Sequence, residues 1–259
     1  MSNTILEMKN VGIQFGGLKA VDGFSINLKE KELVGLIGPN GAGKTTVFNI
    51  LTGVYEHTEG DYILDGEKLK KISTSKLVRK GLARTFQNIR LFSDMTVIEN
   101  VIVAMNYNMN YGLLTSALRL PRYWKEENKC REKAIDLLKI FNLDQYANSL
   151  AGNLPYGKQR QLEIARAMAT DPKVLLLDEP AAGMNPTETE ELMNIIKFIR
   201  DKFGICVLLI EHDMNLVLGI CERLIVLDHG RIIAKGNPHE VVKDKKVVEA
   251  YLGSDEEDE

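Results

Sequence analysis

Residues 38–45 read Gly38-Pro39-Asn40-Gly41-Ala42-Gly43-Lys44-Thr45 and match G-x-x-x-x-G-K-[ST] with no position missing. The residue types are those a polyphosphate site requires. Glycine admits backbone conformations closed to residues bearing a Cβ, so the loop can wrap around an anion with its N–H groups inward. Lys44 supplies a mobile charge for β- and γ-phosphates, and the Thr45 hydroxyl is placed to ligate Mg²⁺. Upstream, Leu33-Val34-Gly35-Leu36-Ile37 is an apolar run suited to a buried strand. Downstream, Thr46-Val47-Phe48-Asn49-Ile50-Leu51 continues as a helix, which puts the phosphates at a helix N-terminus. Gly38, Pro39, Asn40, Gly41, Ala42, Gly43, Lys44, Thr45 and Thr46 are thus the candidate nucleotide contacts.

A second constellation lies far along the chain. Val174-Leu175-Leu176-Leu177-Asp178-Glu179 is an apolar strand ending in two carboxylates. Ligands of open α/β sheets bind at the carboxyl ends of the strands. Asp178 is placed to hold Mg²⁺, directly or through water, and Glu179 to polarise a water for attack on a γ-phosphate. Alone, such a run reads better as a strand ending in a polar turn; the phosphate loop, which needs a metal-binding partner, makes the metal-binding reading the better one.

The 259 residues are 44% apolar and 27% charged, an ordinary globular balance with ample core. The net charge is −3, and the last five residues are all acidic, so the remainder is about +2. No global basic bias points to nucleic acid. The cysteines, Cys130, Cys206 and Cys221, are scattered without metal spacing. Cys206 and Cys221 read as small core residues in a reduced, cytosolic compartment. The start of the chain shows no signal-peptide pattern. The longest apolar stretches, such as Ile205-Cys206-Val207-Leu208-Leu209-Ile210, are far shorter than the about 20 residues of a spanning helix. The chain is not expected to cross the bilayer, which leaves docking onto a protein that does cross it open.

Residues 5–15 and 24–28 alternate as neighbouring strands, and 61–66 as a strand and turn. Ser73 caps a short helix through Arg79. Residues 96–150 turn helical, opening on a Thr96/Glu99 capping box. A long amphipathic helix is expected over 125–141, preceded by an irregular connection over 106–122 that contains Pro121. Strand–helix alternation resumes at 173, with strands at 173–177, 205–210, 224–227 and 231–234 and helices at 187–202, 214–220 and 241–252. The apolar strand runs predict a parallel sheet covered on both faces.

In that order, the phosphate loop, Gln87 within Arg84-Thr85-Phe86-Gln87-Asn88, Leu154-Pro155-Tyr156-Gly157-Lys158-Gln159, Asp178-Glu179-Pro180 and His212 resemble the nucleotide-binding subunit of an ATP-binding cassette (ABC) transporter. The likeness covers residues 4–253. It implies an α/β fold: a P-loop NTPase (RecA-like) core with a mixed sheet, an N-terminal antiparallel β subdomain and an inserted α-helical subdomain. The implied division is core over 4–88 and 155–235, helical subdomain over 89–154, a C-terminal helical segment over 236–253 and an acidic disordered tail over 254–259. It implies ATP and Mg²⁺ as ligands, with Thr45, Gln87 and Asp178 around the metal and Glu179, Gln87 and His212 as the hydrolytic residues. Phe15 matches the aromatic that stacks on adenine, although a strand-end core residue is the alternative. His57, His229 and His239 have no match and read as surface residues.

Residues 154–158 stand where the family reads Leu-Ser-Gly-Gly-Gln, a signature offered across a head-to-tail dimer to ATP on the other subunit. Here Pro155, Tyr156, Gly157 and Lys158 occupy it, so the serine hydroxyl is absent and a cation replaces glutamine. Proline suits a first helical position. Asn185 also replaces the usual aspartate of the dimer-interface loop. These departures imply a heterodimer with a paralogous ATPase, with a second copy of this chain as the alternative partner. The 181–186 and 236–253 patterns resemble the ATPase subunits of branched-chain amino acid importers. That narrower likeness implies two transmembrane permeases, an extracytoplasmic solute-binding protein reached indirectly, no nucleic acid, and a peripheral place on the cytoplasmic face of the membrane. Ile89, Leu91, Phe92 and Met95 are the expected permease contacts, with packing into the chain's own core as the alternative. A soluble cassette acting on ribosomes or nucleic acid, an importer subunit for a solute such as urea, and a non-hydrolysing regulator remain the rival readings.

Overall fold

The computed structural model describes residues 3–70, 73–105 and 121–254. Residues 106–120 of the expected irregular connection and the acidic residues 255–259 lie outside them.

Two sheets carry the fold. The first is antiparallel, order β2-β1-β4-β5, from β1 (Thr4–Phe15), β2 (Leu18–Lys29), β4 (Glu59–Leu64) and β5 (Glu67–Leu69). The second has six strands in the order β10-β9-β3-β8-β7-β6. These are β3 (Leu33–Ile37), β6 (Leu82–Arg84), β7 (Val174–Asp178), β8 (Cys206–Ile210), β9 (Arg223–Asp228) and β10 (Arg231–Gly236). All pair in parallel except β10, which runs antiparallel to β9.

The central strands read as unbroken apolar runs because both their faces are covered. Alternate residues feed two cores. Val34, Leu36, Leu176, Leu208 and Ile225 join the antiparallel sheet and α1 (Lys44–Leu51). Leu33, Ile37, Leu175, Leu177, Leu209 and Val226 face the helices. Those helices include α3 (Val97–Met105), α4 (Pro121–Ile140), α5 (Tyr156–Met168), α6 (Pro186–Phe203) and α7 (Met214–Ile220); α2 (Thr74–Arg79) packs beside β6. The chain closes with α8 (Pro238–Val241) and α9 (Lys245–Ser254).

Several local expectations hold, and two move. The Thr96/Glu99 box forms, with Thr96 N–H donating to Glu99 Oε2 at 2.8 Å and Glu99 N–H to Thr96 Oγ1 at 3.3 Å. Asn185 and Glu188 form a second box at the start of α6. Pro121 begins a helix instead of sitting in an irregular connection, because at the first helical position proline's missing N–H has no intrahelical partner to lose. The single terminal helix expected over 241–252 is two: Asp244 accepts from Lys246 N–H at 2.9 Å and so starts α9 afresh. All three cysteines are free and buried. His229 and His239 are exposed as expected, while His57 is half-buried.

Between β6 and α5, one core gathers Val97, Ile98 and Val101 of α3, Ala134, Leu137 and Leu138 of α4, and Phe141. Phe141→Ala in this fully buried position is expected to cost about 3–5 kcal/mol. The check is a lower urea midpoint at an unchanged slope.

Candidate active site

Parallel pairing puts the carboxyl ends of β3, β6, β7 and β8 on one edge of the sheet. Ile37 leads into the phosphate loop, Arg84 into Gln87, Asp178 into Glu179, and Ile210 into His212. The ladder fixes their level: Leu36 lies opposite Ile210, Ile210 opposite Asp178, and Leu176 opposite Arg84.

The loop from 38 to 43 depends on glycine at its two ends. Gly38 has φ 151° and Gly43 φ 102°. A Cβ would stand 2.0 Å from the Leu227 carbonyl oxygen at the first and 2.8 Å from that of Ala20 at the second. The loop is braced from outside, since Gly230 N–H donates to the Ala42 carbonyl at 2.9 Å. The phenol of Tyr251 on α9 makes a hydrogen bond with the Gly38 backbone. Lys44 donates to the carbonyls of Gly38 at 2.6 Å and Pro39 at 2.8 Å, so its ammonium rests on its own loop. Burial pushes the Lys44 ammonium below its ordinary value, against the pull of the Glu179 and Asp178 carboxylates. Asn40 and Thr45 are exposed, Thr46 half-buried, Pro39 and Ala42 buried.

Glu179 takes a left-handed backbone, φ 46°. That conformation is costly for a residue with a Cβ and is met mostly where function or tight packing holds it. It turns the carboxylate along the edge, where Gln87 Nε2 donates to its Oε2 at 2.8 Å. His212 is exposed, with Nδ1 3.9 Å from Glu179 Oε1. Asp178 is buried and ion-paired to Arg84, Nη2 to Oδ2 at 2.7 Å. Arg84 also donates to Asn49 of α1 at 2.9 Å, so it joins the strand-end acid to the helix behind the phosphate loop. Among the described residues, no cluster of three or more His, Cys, Asp or Glu could hold a metal unaided. A hard cation shared with phosphate oxygens needs only a few protein oxygens. Thr45, Asp178 and Gln87 offer a hydroxyl, a carboxylate and an amide of that chemistry, so the donor set fits Mg²⁺.

Phe15 is 45% exposed and packs edge-on against Tyr55, with centroids 5.1 Å apart. This overturns the core alternative: it is an aromatic open to solvent. The residues of the signature pack against their own chain. Tyr156 lies beside Gly183, where a Cβ would come 3.1 Å from its ring. A Cβ on Gly157 would be 2.6 Å from Glu188 Oε1. Lys158 donates to Gln161 Oε1 at 3.0 Å and sits 3.8 Å from Glu191. Pro155 is the residue before the helix, with ψ 150°, rather than its first helical residue, and it provides no side-chain cap.

In the segment after Gln87, Leu91 is half-buried against the helical core, while Phe92 is 46% exposed under the Arg166 guanidinium. Fully buried Asn100 latches this segment. It accepts from Phe92 N–H at 3.0 Å and donates to the Phe92 carbonyl at 3.0 Å.

Four charged side chains went unnoticed in the sequence: Arg84, Arg160, Glu163 and Glu211. Glu211 is buried and accepts from Ala181 N–H at 2.8 Å and His212 N–H at 3.1 Å, tying two of the site's loops together. Burial raises its carboxyl above the ordinary value, opposed by these N–H donors. In the sequence Arg160 and Glu163 stand three residues apart on a mostly polar helix, a spacing that reads as an ordinary helix ion pair.

Residues 21–182 match the ABC transporter family, and residues 231–257 match the family described as branched-chain amino acid ATP-binding cassette transporter. BraF of Pseudomonas aeruginosa, a high-affinity branched-chain amino acid transport ATP-binding protein, is 47% identical over 98% of this chain and 99% of its own. LivG of Escherichia coli, which carries the same description, is 45% identical over the same shares. A solved ATP-binding cassette of an ABC transporter in its ADP conformation superposes with a TM-score of 0.83 at 34% identity, over 97% of this chain and 100% of that one. With a family match whose span includes the phosphate loop and the strand-end acids, and relatives covering nearly the whole chain, this chain belongs to the ABC transporter family, as one of its ATP-hydrolysing cassettes.

Proposed function

We propose that the chain is the energy-coupling ATPase of an importer for branched-chain amino acids. The observation that carries the hydrolytic half is the 2.8 Å contact between Gln87 and Glu179 on the sheet edge that also carries the phosphate loop. The transported solute is inferred from BraF and LivG and from the C-terminal family match.

In this reading the triphosphate of ATP takes the N–H groups of the loop, and Phe15 offers its open face to adenine. Lys44 leaves the Gly38 and Pro39 carbonyls for the β- and γ-phosphates. Glu179 orients a water in line with the γ-phosphorus and takes its proton as the new P–O bond forms. The bond from γ-phosphorus to the bridging oxygen breaks, and ADP departs with that oxygen. Gln87 holds the water and Glu179 in register, and His212 contacts the γ-phosphate. Thr45, Asp178 and Gln87 would hold Mg²⁺, whose contribution there is to neutralise charge between the β- and γ-phosphates.

Importer ATPases of this family dimerise and work with membrane permeases. No helix among the described residues is long and apolar enough to cross a membrane. We place this chain peripherally, at the cytoplasmic face, on two permeases served by an extracytoplasmic solute-binding protein. The core is assigned to 4–88 and 155–235, the helical subdomain to 89–154 and the C-terminal segment to 236–253. The segment after Gln87, with exposed Phe92 and half-buried Ile89, Leu91 and Met95, is the permease contact. The dimer partner is a paralogous ATPase. Pro155 gives that partner's nucleotide neither a hydroxyl nor an N–H, and Lys158 is engaged at home with Gln161.

Lys44→Ala is expected to abolish nucleotide binding and uptake, and Glu179→Gln to lower turnover by about a hundredfold or more while ATP still binds. Both are read by ATPase and filter-binding assays on the same preparations. Glu179→Gln in this chain should depress turnover of the complex more than the matching change in the paralogue, and equal losses would remove the asymmetry. Leu91→Ala with Phe92→Ala should spare ATP binding while uncoupling uptake from hydrolysis; unchanged uptake would move the permease contact elsewhere. Purification of the tagged chain should bring down a permease pair and a second cassette.

A further inference from the structure

Arg160, in the second turn of α5, is fully buried. A guanidinium taken out of water must recover its lost hydration from fixed partners. One partner is local: Nη1 donates to Glu163 Oε2 at 2.7 Å, one turn along the same helix. The others belong to the hydrolytic loops. Nη1 donates to the Phe86 carbonyl at 2.6 Å, and Nη2 to the carbonyls of Gln87 at 2.8 Å and Glu179 at 2.9 Å. Glu163 completes the frame by accepting from Phe86 N–H at 3.3 Å. Meanwhile Nε, also buried, has no partner. The fork is therefore aimed at three loop carbonyls at the expense of its own saturation.

The two side chains that meet over the site, Gln87 and Glu179, thus have their main chains pinned to one guanidinium. Glu179 sits there in its left-handed conformation, which relaxes unless neighbours hold it. We propose that Arg160 is a positioning residue for hydrolysis, holding Gln87 and Glu179 in register and tying both to the helix that begins at the signature. This rests on the reading of those two residues as hydrolytic. Arginine suits the task because its planar fork fixes several acceptors at once, whereas a lysine ammonium is a flexible point charge.

The test uses the full-length chain purified with its associated subunits. Turnover is expressed per nucleotide-binding site, so that any unfolded fraction drops out. The variants are Arg160→Lys, the double Arg160→Met/Glu163→Met, Gln87→Ala, and Gln87→Ala combined with Arg160→Lys. Glu179→Gln is the control. Arg160→Lys is expected to lower turnover per site about tenfold or more with the ATP dissociation constant changed less than about threefold. The double variant removes both buried charges; it should recover thermal stability without recovering turnover. In the Gln87→Ala background, Arg160→Lys should add less than about a threefold loss, because both changes disable one unit. Recovery of turnover in the double variant, multiplicative losses with Gln87→Ala, or disappearance of nucleotide-binding sites from every Arg160 variant would each overturn the proposal and leave Arg160 as packing. Full turnover in Glu179→Gln would instead bring down the hydrolytic reading on which it stands.

Discussion

Parallel strand pairing is the constraint from which the rest follows. A parallel ladder lines up the carboxyl ends of its strands on one edge. In this chain that delivers residues 38–45, 87, 178–179 and 212 to one place, although more than a hundred residues separate the first from the last. The strands can be central only because both faces are sealed, by the antiparallel sheet and α1 on one side and the helices on the other. Hydrophobic burial thus sets the geometry, and the loops at the edge inherit it.

Behind the edge lies a layer of buried charge. Arg84 holds Asp178, Arg160 holds the carbonyls of Gln87 and Glu179, and Glu211 collects the N–H groups of Ala181 and His212. Each is costly to bury and each is repaid by bonds to a loop that the site uses. The loops therefore have few independent ways to move. A shift in α5 or in residues 181–186 is transmitted through hydrogen bonds rather than absorbed by slack chain.

The sequence made the site's outline legible and its supports invisible. Glycine spacing and a lysine between an apolar run and a helix could be read directly, because local backbone demands dictate those residues. Asp178 and Glu179 were readable because the phosphate loop already called for metal-binding acids at the end of a neighbouring strand. Arg160, Arg84 and Asn100 gave no such signal. Most of their partners are main-chain groups or side chains remote in sequence, and a main-chain group has no residue identity to recognise. The errors at Pro121, Pro155 and Asp244 share another cause. Helix ends turn on one residue's ψ or on one side-chain cap, which composition cannot resolve.

The Lys44 ammonium donates to the Gly38 and Pro39 carbonyls of its own loop. An incoming group must outbid two short hydrogen bonds before the cation turns toward it, and chloride or a lone phosphate has little to offer in exchange. A polyphosphate, able to engage loop amides and lysine together, does. Exchanging those carbonyls for phosphate oxygens therefore favours a ligand long enough to reach the loop amides and the lysine at once.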